Sequence, residues 1–176
     1  GLYNTQQDLG SRNVIQYSNG LTFCPAEVDM SIRPGWFYHA SEDDRVRSTE
    51  TLLDIWYRTV GGNSTLLLNI PPDRRGLFHE VDVERLRGMG EYIRKTFAVN
   101  YAADAVITAD SDNGYDLPEN VKCDCYDCYY KPFDGDNAVT LNIKLPEEKS
   151  VTHVVIKECI PFSQRIEKYV IEAKAG

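Results

Sequence analysis

The stretch Ser64-Thr-Leu-Leu-Leu-Asn-Ile70 restricts the fold more than any other part of the chain. It is apolar without a charge and stopped by Pro71-Pro72. Seven residues are too few for a helix, so the run reads as a strand buried on both faces, the kind found in parallel sheets covered by helices. Its neighbours supply those helices. Upstream, Thr49, Leu52, Leu53, Trp56, Tyr57 and Val60 recur at helical spacing. This predicts a helix near residues 48–60 with Ser48 as N-cap and Gly61-Gly62-Asn63 closing it. Downstream, a second helix is expected to start with Asp82 as N-cap and Val81 and Leu86 as a hydrophobic staple. It would bury Val83, Leu86, Met89 or Gly90, Ile93 and Phe97, and Arg94 and Lys95 suit the negative end of its dipole. Gly88 and Gly90 each cost about 1 kcal/mol relative to Ala in a helix interior, so their expected use is close packing.

Beyond residue 97 the period changes. Val139, Leu141, Ile143 and Leu145 alternate with polar residues, as in a strand with one wet face. Residues 151–157 and 166–173 are further strand candidates. Asn113-Gly114, Asp134-Gly135 and Leu145-Pro146 are expected turns. The expected organisation is an α/β part over residues 1–97 and an all-β part over 98–176. The strand-helix order of the first part fits the C-terminal part of a (β/α)8 barrel, the TIM barrel, which needs roughly 250 residues and eight strands. Ninety-seven residues cannot close one, and a part-barrel would leave open strand edges. The expectation is a fragment of a longer chain, its second part an incomplete β-sandwich.

Bulk properties exclude several classes. With 176 residues, 42% of them hydrophobic and 26% charged, the chain is of ordinary globular composition. A net charge of -8 opposes a nucleic-acid partner, which demands concentrated Lys and Arg. No apolar run reaches the roughly 18 residues of a membrane span, so no membrane partner is expected. Gly1 opens neither a basic start nor an apolar signal core.

Five cysteines, Cys24, Cys123, Cys125, Cys128 and Cys159, do not make a fully paired secreted framework. Cys-x-Cys-x-x-Cys has the look of a metal motif, but structural zinc takes four ligands, and only the fold could bring up His153 or Cys159 as the fourth. The expectation is reduced or partly oxidised cysteines, with no metal and no cofactor. A metal assay separates this from a zinc-binding reading.

In a barrel enzyme the chemistry lies where strands end, which singles out residues 25–39 and 68–76. The first segment holds Glu27, Asp29, Arg33, Trp36 and His39 between prolines and a glycine. Glu27 and Asp29 are two apart and share a strand face, the arrangement of an acid/base pair; structural pairing with Arg33 is the alternative. Arg33 precedes Pro34, so its backbone is biased to extended geometry and its side chain is expected to satisfy buried carboxylates. His39, just past Tyr38, either reaches a bound ligand or lies on the surface. Asn69 ends the buried strand, where it either binds substrate or caps the loop.

The run Pro-Ala-Glu-Val-Asp-Met-Ser-Ile-Arg-Pro-Gly-Trp-Phe-Tyr-His ending at His39, then Glu42-Asp43-Asp44, then Leu-Leu-Leu-Asn-Ile-Pro-Pro-Asp-Arg-Arg-Gly ending at Gly76, resembles the last barrel strands of glycoside hydrolase family 29 α-L-fucosidases. The likeness is closest to the subgroup acting on α-1,3/1,4-fucosides. It continues through Asp134-Gly135-Asp136 and residues 154–173, including Ser163-Gln164-Arg165, which look like the sandwich that follows the barrel there. The resemblance implies a retaining double displacement by two carboxyl groups on terminal fucose of an oligosaccharide or glycoconjugate. It places the nucleophile and the acid/base upstream of Gly1, so no catalytic residue is named. It makes Trp36 a wall of the sugar pocket, a flat apolar face that accepts the fucose methyl; a closed core with Trp36 sealed inside would overturn this. Glu27, Asp29 and His39 are the other candidate substrate-binding residues. The family also implies a secreted, periplasmic or lysosomal protein. The rival reading is a non-catalytic carbohydrate-binding β-sandwich, which would have no use for Leu66-Leu67-Leu68 between two amphipathic helices.

Overall fold

A computed structural model describes residues 26–125, 127–159 and 165–174; Cys24, Ser163 and Gln164 lie outside them. The protein is a mixed α/β chain that divides into two compact units between Thr96 and Phe97.

In the first unit, β1 (Ala26–Ser31) and β2 (Ser64–Asn69) form a parallel pair, in register from Ala26 opposite Ser64 to Ser31 opposite Asn69. The connection between them carries a 3-10 turn (Ala40–Arg45) and α1 (Thr49–Thr59). α2 (Glu80–Thr96) follows β2 and packs on α1. The Ser48 hydroxyl caps α1 by accepting from the Thr51 N–H at 3.2 Å. Leu52 is its one buried apolar residue; Val60, expected on the same face, is exposed at the C-cap, one residue past the last turn. Asn63, not either glycine before it, takes the left-handed conformation (φ 63°) that turns the chain into β2. Gly88 allows the two helices to approach: a Cβ there would lie 3.0 Å from the Thr49 Oγ1.

Two expectations for this unit are corrected. Asp82 is not an N-cap. The helix starts at Glu80, and the His79 carbonyl accepts from the Val83 N–H. That places Asp82 in the first turn, fully buried. Nor is the apolar strand buried on both faces. It ends at Asn69, with Leu66 and Leu68 half-buried while Thr65 and Leu67 are exposed. In register, Met30 shares the half-buried face, and Glu27 and Asp29 share the open one. The reason is that among the described residues this sheet has two strands and nothing covers its second face.

The second unit pairs β3 (Val106–Ala109) with β4 (Leu141–Lys144) antiparallel, Ile107 opposite Ile143. Among the described residues Ala105, Ile107 and Pro118 are buried there, and the Ile107 N–H donates to the Glu119 carboxylate at 2.7 Å. The expected turns at Asn113-Gly114 and Asp134-Gly135 form, with both glycines at positive φ. The strand expected over 139–145 is only Leu141–Lys144, and it is exposed on both faces. Residues 151–157 and 166–173 form no strand. Their alternation is real, yet a strand exists only by pairing, and Val154, Val155, Val170 and Ile171 stay exposed.

Candidate functional site

The parallel strands of the first unit point the same way, so their ends coincide. Ser31 and Asn69 are register partners there. The Asn69 side-chain amide donates to the Ser31 hydroxyl at 3.2 Å and to the Trp36 carbonyl at 2.8 Å. The Ser31 hydroxyl in turn donates to the Gly35 carbonyl at 2.8 Å. A polar clamp at the strand ends thus fixes the loop that carries Trp36. The indole is 47% exposed, so Trp36 is not sealed in a core. Asn69 therefore holds the loop, one of the two roles open to it from the sequence.

The other predicted residues are spread out. Glu27 and Asp29 are exposed on the open face of β1. At ~3.3 Å per residue Glu27 lies about 13 Å back from Ser31, and Asp29 half as far. His39 is exposed at the start of the 3-10 turn, where its carbonyl accepts from the Glu42 N–H at 2.9 Å.

Neither Glu27 nor Asp29 is the partner of Arg33. The fully buried guanidinium donates from Nε to Asp82 at 2.9 Å and from Nη1 to Asp43 at 2.8 Å, and stacks 4.8 Å above the Tyr38 ring. Burial pulls its pKa down, but the hydrogen bonds to Asp82 and Asp43 outweigh this and leave it above the ordinary value. Asp43 also accepts from the Tyr38 hydroxyl at 3.4 Å and lies 3.5 Å from the His79 Nε2. Burial and the Asp43 charge push the Tyr38 phenol up. Sequence reasoning found Arg33 as a support but missed Asp43, Tyr38, His79 and Asp82, which come from two stretches far apart in the chain, 38–43 and 79–82.

Beside this cluster lies an open depression of about 450 Å³ lined by Tyr38, Ala40, Asp73, Arg75 and His79, within the size of small-ligand sites. Its floor is the turn after β2. The Asp73 carboxylate accepts from the Arg75 and Leu77 N–H groups at 2.7 and 3.4 Å and from the Arg75 guanidinium at 2.6 and 2.9 Å. The Arg75 side chain, helped by those amides, holds the Asp73 carboxyl below its ordinary range. A depressed folded-state pKa contributes stability above the unfolded value, about 3.9, and loses it as pH falls through the folded one. The difference in melting temperature between the parent and Asp73→Asn should therefore be constant from neutrality to about pH 5 and shrink below about pH 4. A difference unchanged down to pH 2.5 would show that the turn does not depend on the ionised carboxylate.

Comparison with known proteins follows the same geography. Residues 4–97 match the family model for alpha-L-fucosidase. The chain is 36% identical over 159 residues to alpha-L-fucosidase 1 of Arabidopsis thaliana, covering 88% of this chain and 31% of that protein. A GH29 fucosidase from Ruminococcus gnavus, solved in complex with fucose, superposes with a TM-score of 0.63 at 28% identity, over 71% of this chain and 26% of its own. A Bacteroides thetaiotaomicron structure assigned as an alpha-L-fucosidase gives 0.62 at 40% identity, over 73% and 28%. The chain spans less than a third of the length of the curated relatives it matches. With the family pattern running through β1, β2 and both helices and taking in more than half of the residues, this chain belongs to the α-L-fucosidases of glycoside hydrolase family 29.

Proposed function

We propose that residues up to 97 are the closing strands of a (β/α)8 barrel that hydrolyses terminal α-linked fucose, and that the residues beyond belong to the β-sandwich that follows it. The observation that carries this reading is the half-exposed Trp36, clamped through Asn69 at the C-terminal ends of two parallel strands, where barrel enzymes place their substrate. The open face of the strand pair supports it. Glu27, Asp29, Thr65 and Leu67 stand uncovered on the side that a closed barrel turns inward. Trp36 is then the wall against the fucose methyl, with Asp29 and His39 towards the mouth and Glu27 deeper. The nucleophile and acid/base, about 5–5.5 Å apart in a retaining enzyme, belong to strands other than β1 and β2. The substrate is a fucosylated oligosaccharide or glycoconjugate, with an α-1,3/1,4 linkage the first to try. No metal takes part in this chemistry.

The test is an aryl α-L-fucoside assay on the full-length product of the reading frame that encodes these residues. Trp36→Ala should lower kcat/KM by 10- to 200-fold, the loss expected of one apolar contact with the sugar, about 1–3 kcal/mol. Trp36→Phe should recover part of it. An unchanged kcat/KM in Trp36→Ala would remove Trp36 from the pocket, and a full-length protein with no fucosidase activity would remove the reading itself.

A further inference from the structure

We propose that Cys123, Cys125 and Cys128 form a binding site for one thiophilic metal ion, a site in the second unit that fucoside hydrolysis does not use. Their Sγ atoms converge within 4.8 Å of one another, and all three residues are exposed. None is in a disulfide. The loop that carries them is closed by hydrogen bonds. Asn120, in the 3-10 turn Pro118–Lys122, closes the loop at both ends: its carbonyl accepts from the Cys123 N–H at 3.0 Å and its side-chain amide donates to the Tyr129 carbonyl at 3.0 Å. A second tie, from the Lys131 N–H to the Asp116 carbonyl at 3.1 Å, sits just outside. Lys157 pairs with Asp124 and so brings a cation to the same loop.

Thiolates at this spacing suit zinc(II) or copper(I) rather than hard cations, which take oxygen ligands. A zinc–sulfur bond of about 2.3 Å sets tetrahedral sulfurs ~3.8 Å apart. Cys123 and Cys125, now 2.6 Å apart, would have to open by about 1 Å. Neither His153 nor Cys159 joins the group, so among the described residues the site offers three ligands. The fourth position on zinc is left to water, whereas copper(I) accepts three thiolates as a complete trigonal set. Metal binding would add a direct link between the three side chains to a loop that is otherwise closed by the backbone and side-chain bonds of Asn120 and the Lys131–Asp116 tie.

The experiment uses the full-length product of the reading frame that encodes these residues, reduced, stripped with chelator and titrated anaerobically with zinc(II) against a chromophoric competitor, then with copper(I) in a second arm. One ion per chain is expected. Cys125→Ser should weaken binding by more than about 100-fold, since loss of an outer-shell partner alone costs about 10- to 100-fold. Cys159→Ser should leave it unchanged. Cobalt(II) should show thiolate charge-transfer absorption that Cys123→Ser and Cys128→Ser each diminish. Should a variant misfold, alkylation of the parent decides: added zinc must protect all three cysteines and leave Cys159 reactive. Equal affinity in the parent and Cys125→Ser, protection of none of the three, or a Cys123–Cys125 disulfide that persists under reductant would overturn the proposal.

Discussion

Replacing Arg33 with Ala should destabilise the protein by about 3–5 kcal/mol, because it strands the carboxylate of Asp82 in a site with no access to water. Arg33 and Asp82 are both at 0% exposure. The buried Arg33 Nη2 and Asp82 Oδ1 find no partner among the described residues, so the pair is only partly compensated for its dehydration. That combination separates two quantities. The net value of an incompletely bonded buried pair is small, since the desolvation of both ions offsets their attraction, whereas removing one member leaves the other charged and alone. Asp43 is spared because it is 31% exposed on its side chain and water can replace the guanidinium. The double variant Arg33→Met with Asp82→Leu should therefore recover most of what Arg33→Ala loses. Urea unfolding of the parent, Arg33→Met, Asp82→Leu and the double variant in a cycle, with Arg33→Ala alongside, measures this directly. A single variant within about 1 kcal/mol of the parent would mean that the site is wetter than its burial indicates.

That pair also marks where a sequence stops being readable. Ser48 was legible as a cap because both partners of the bond lie within four residues. Asp82 was misread for the same reason: an Asp ahead of an apolar helical run has the local signature of a cap, and nothing nearby announces a partner 49 residues away. Arg33 was legible in role, through Pro34 and its surplus of carboxylate neighbours, but not in partner; the obvious choices, Glu27 and Asp29, point to the open face of β1 instead. The Asp73 turn left a usable signal, since Pro-Pro-Asp-Arg-Arg-Gly joins a carboxylate able to bond its own following amides to a glycine that takes positive φ. Strand alternation at 151–157 was read correctly as pattern and wrongly as structure. Period 2 tells which residues would share a face, while pairing depends on a neighbour that the pattern does not name. The family was legible for the opposite reason: its signature is a linear order of residues at strand ends, and linear order is what a sequence preserves.

The strand that was expected to be buried on both faces supplies the second large effect. Leu52 is 1% exposed and is, with Ile32, one of the two fully buried aliphatic side chains among the described residues of the first unit. Leu52→Ala should cost about 2–5 kcal/mol, a lost transfer term plus a cavity, and most of that should appear whether the 176-residue chain or the full-length product is unfolded. Leu67, 50% exposed on the open face of β2, behaves differently under the barrel reading. In the chain alone it has little burial to lose, and Leu67→Ala should cost under about 1 kcal/mol. Inside a closed barrel, where layers of inward side chains fill the interior, the same substitution should cost as much as Leu52→Ala. The comparison reports on what covers the sheet without relying on activity. A Leu67→Ala cost that stays below about 1 kcal/mol in the full-length product would mean that its exposed face remains open to water, and the inward-facing assignment of Glu27 and Asp29, which share that face, would fall with it.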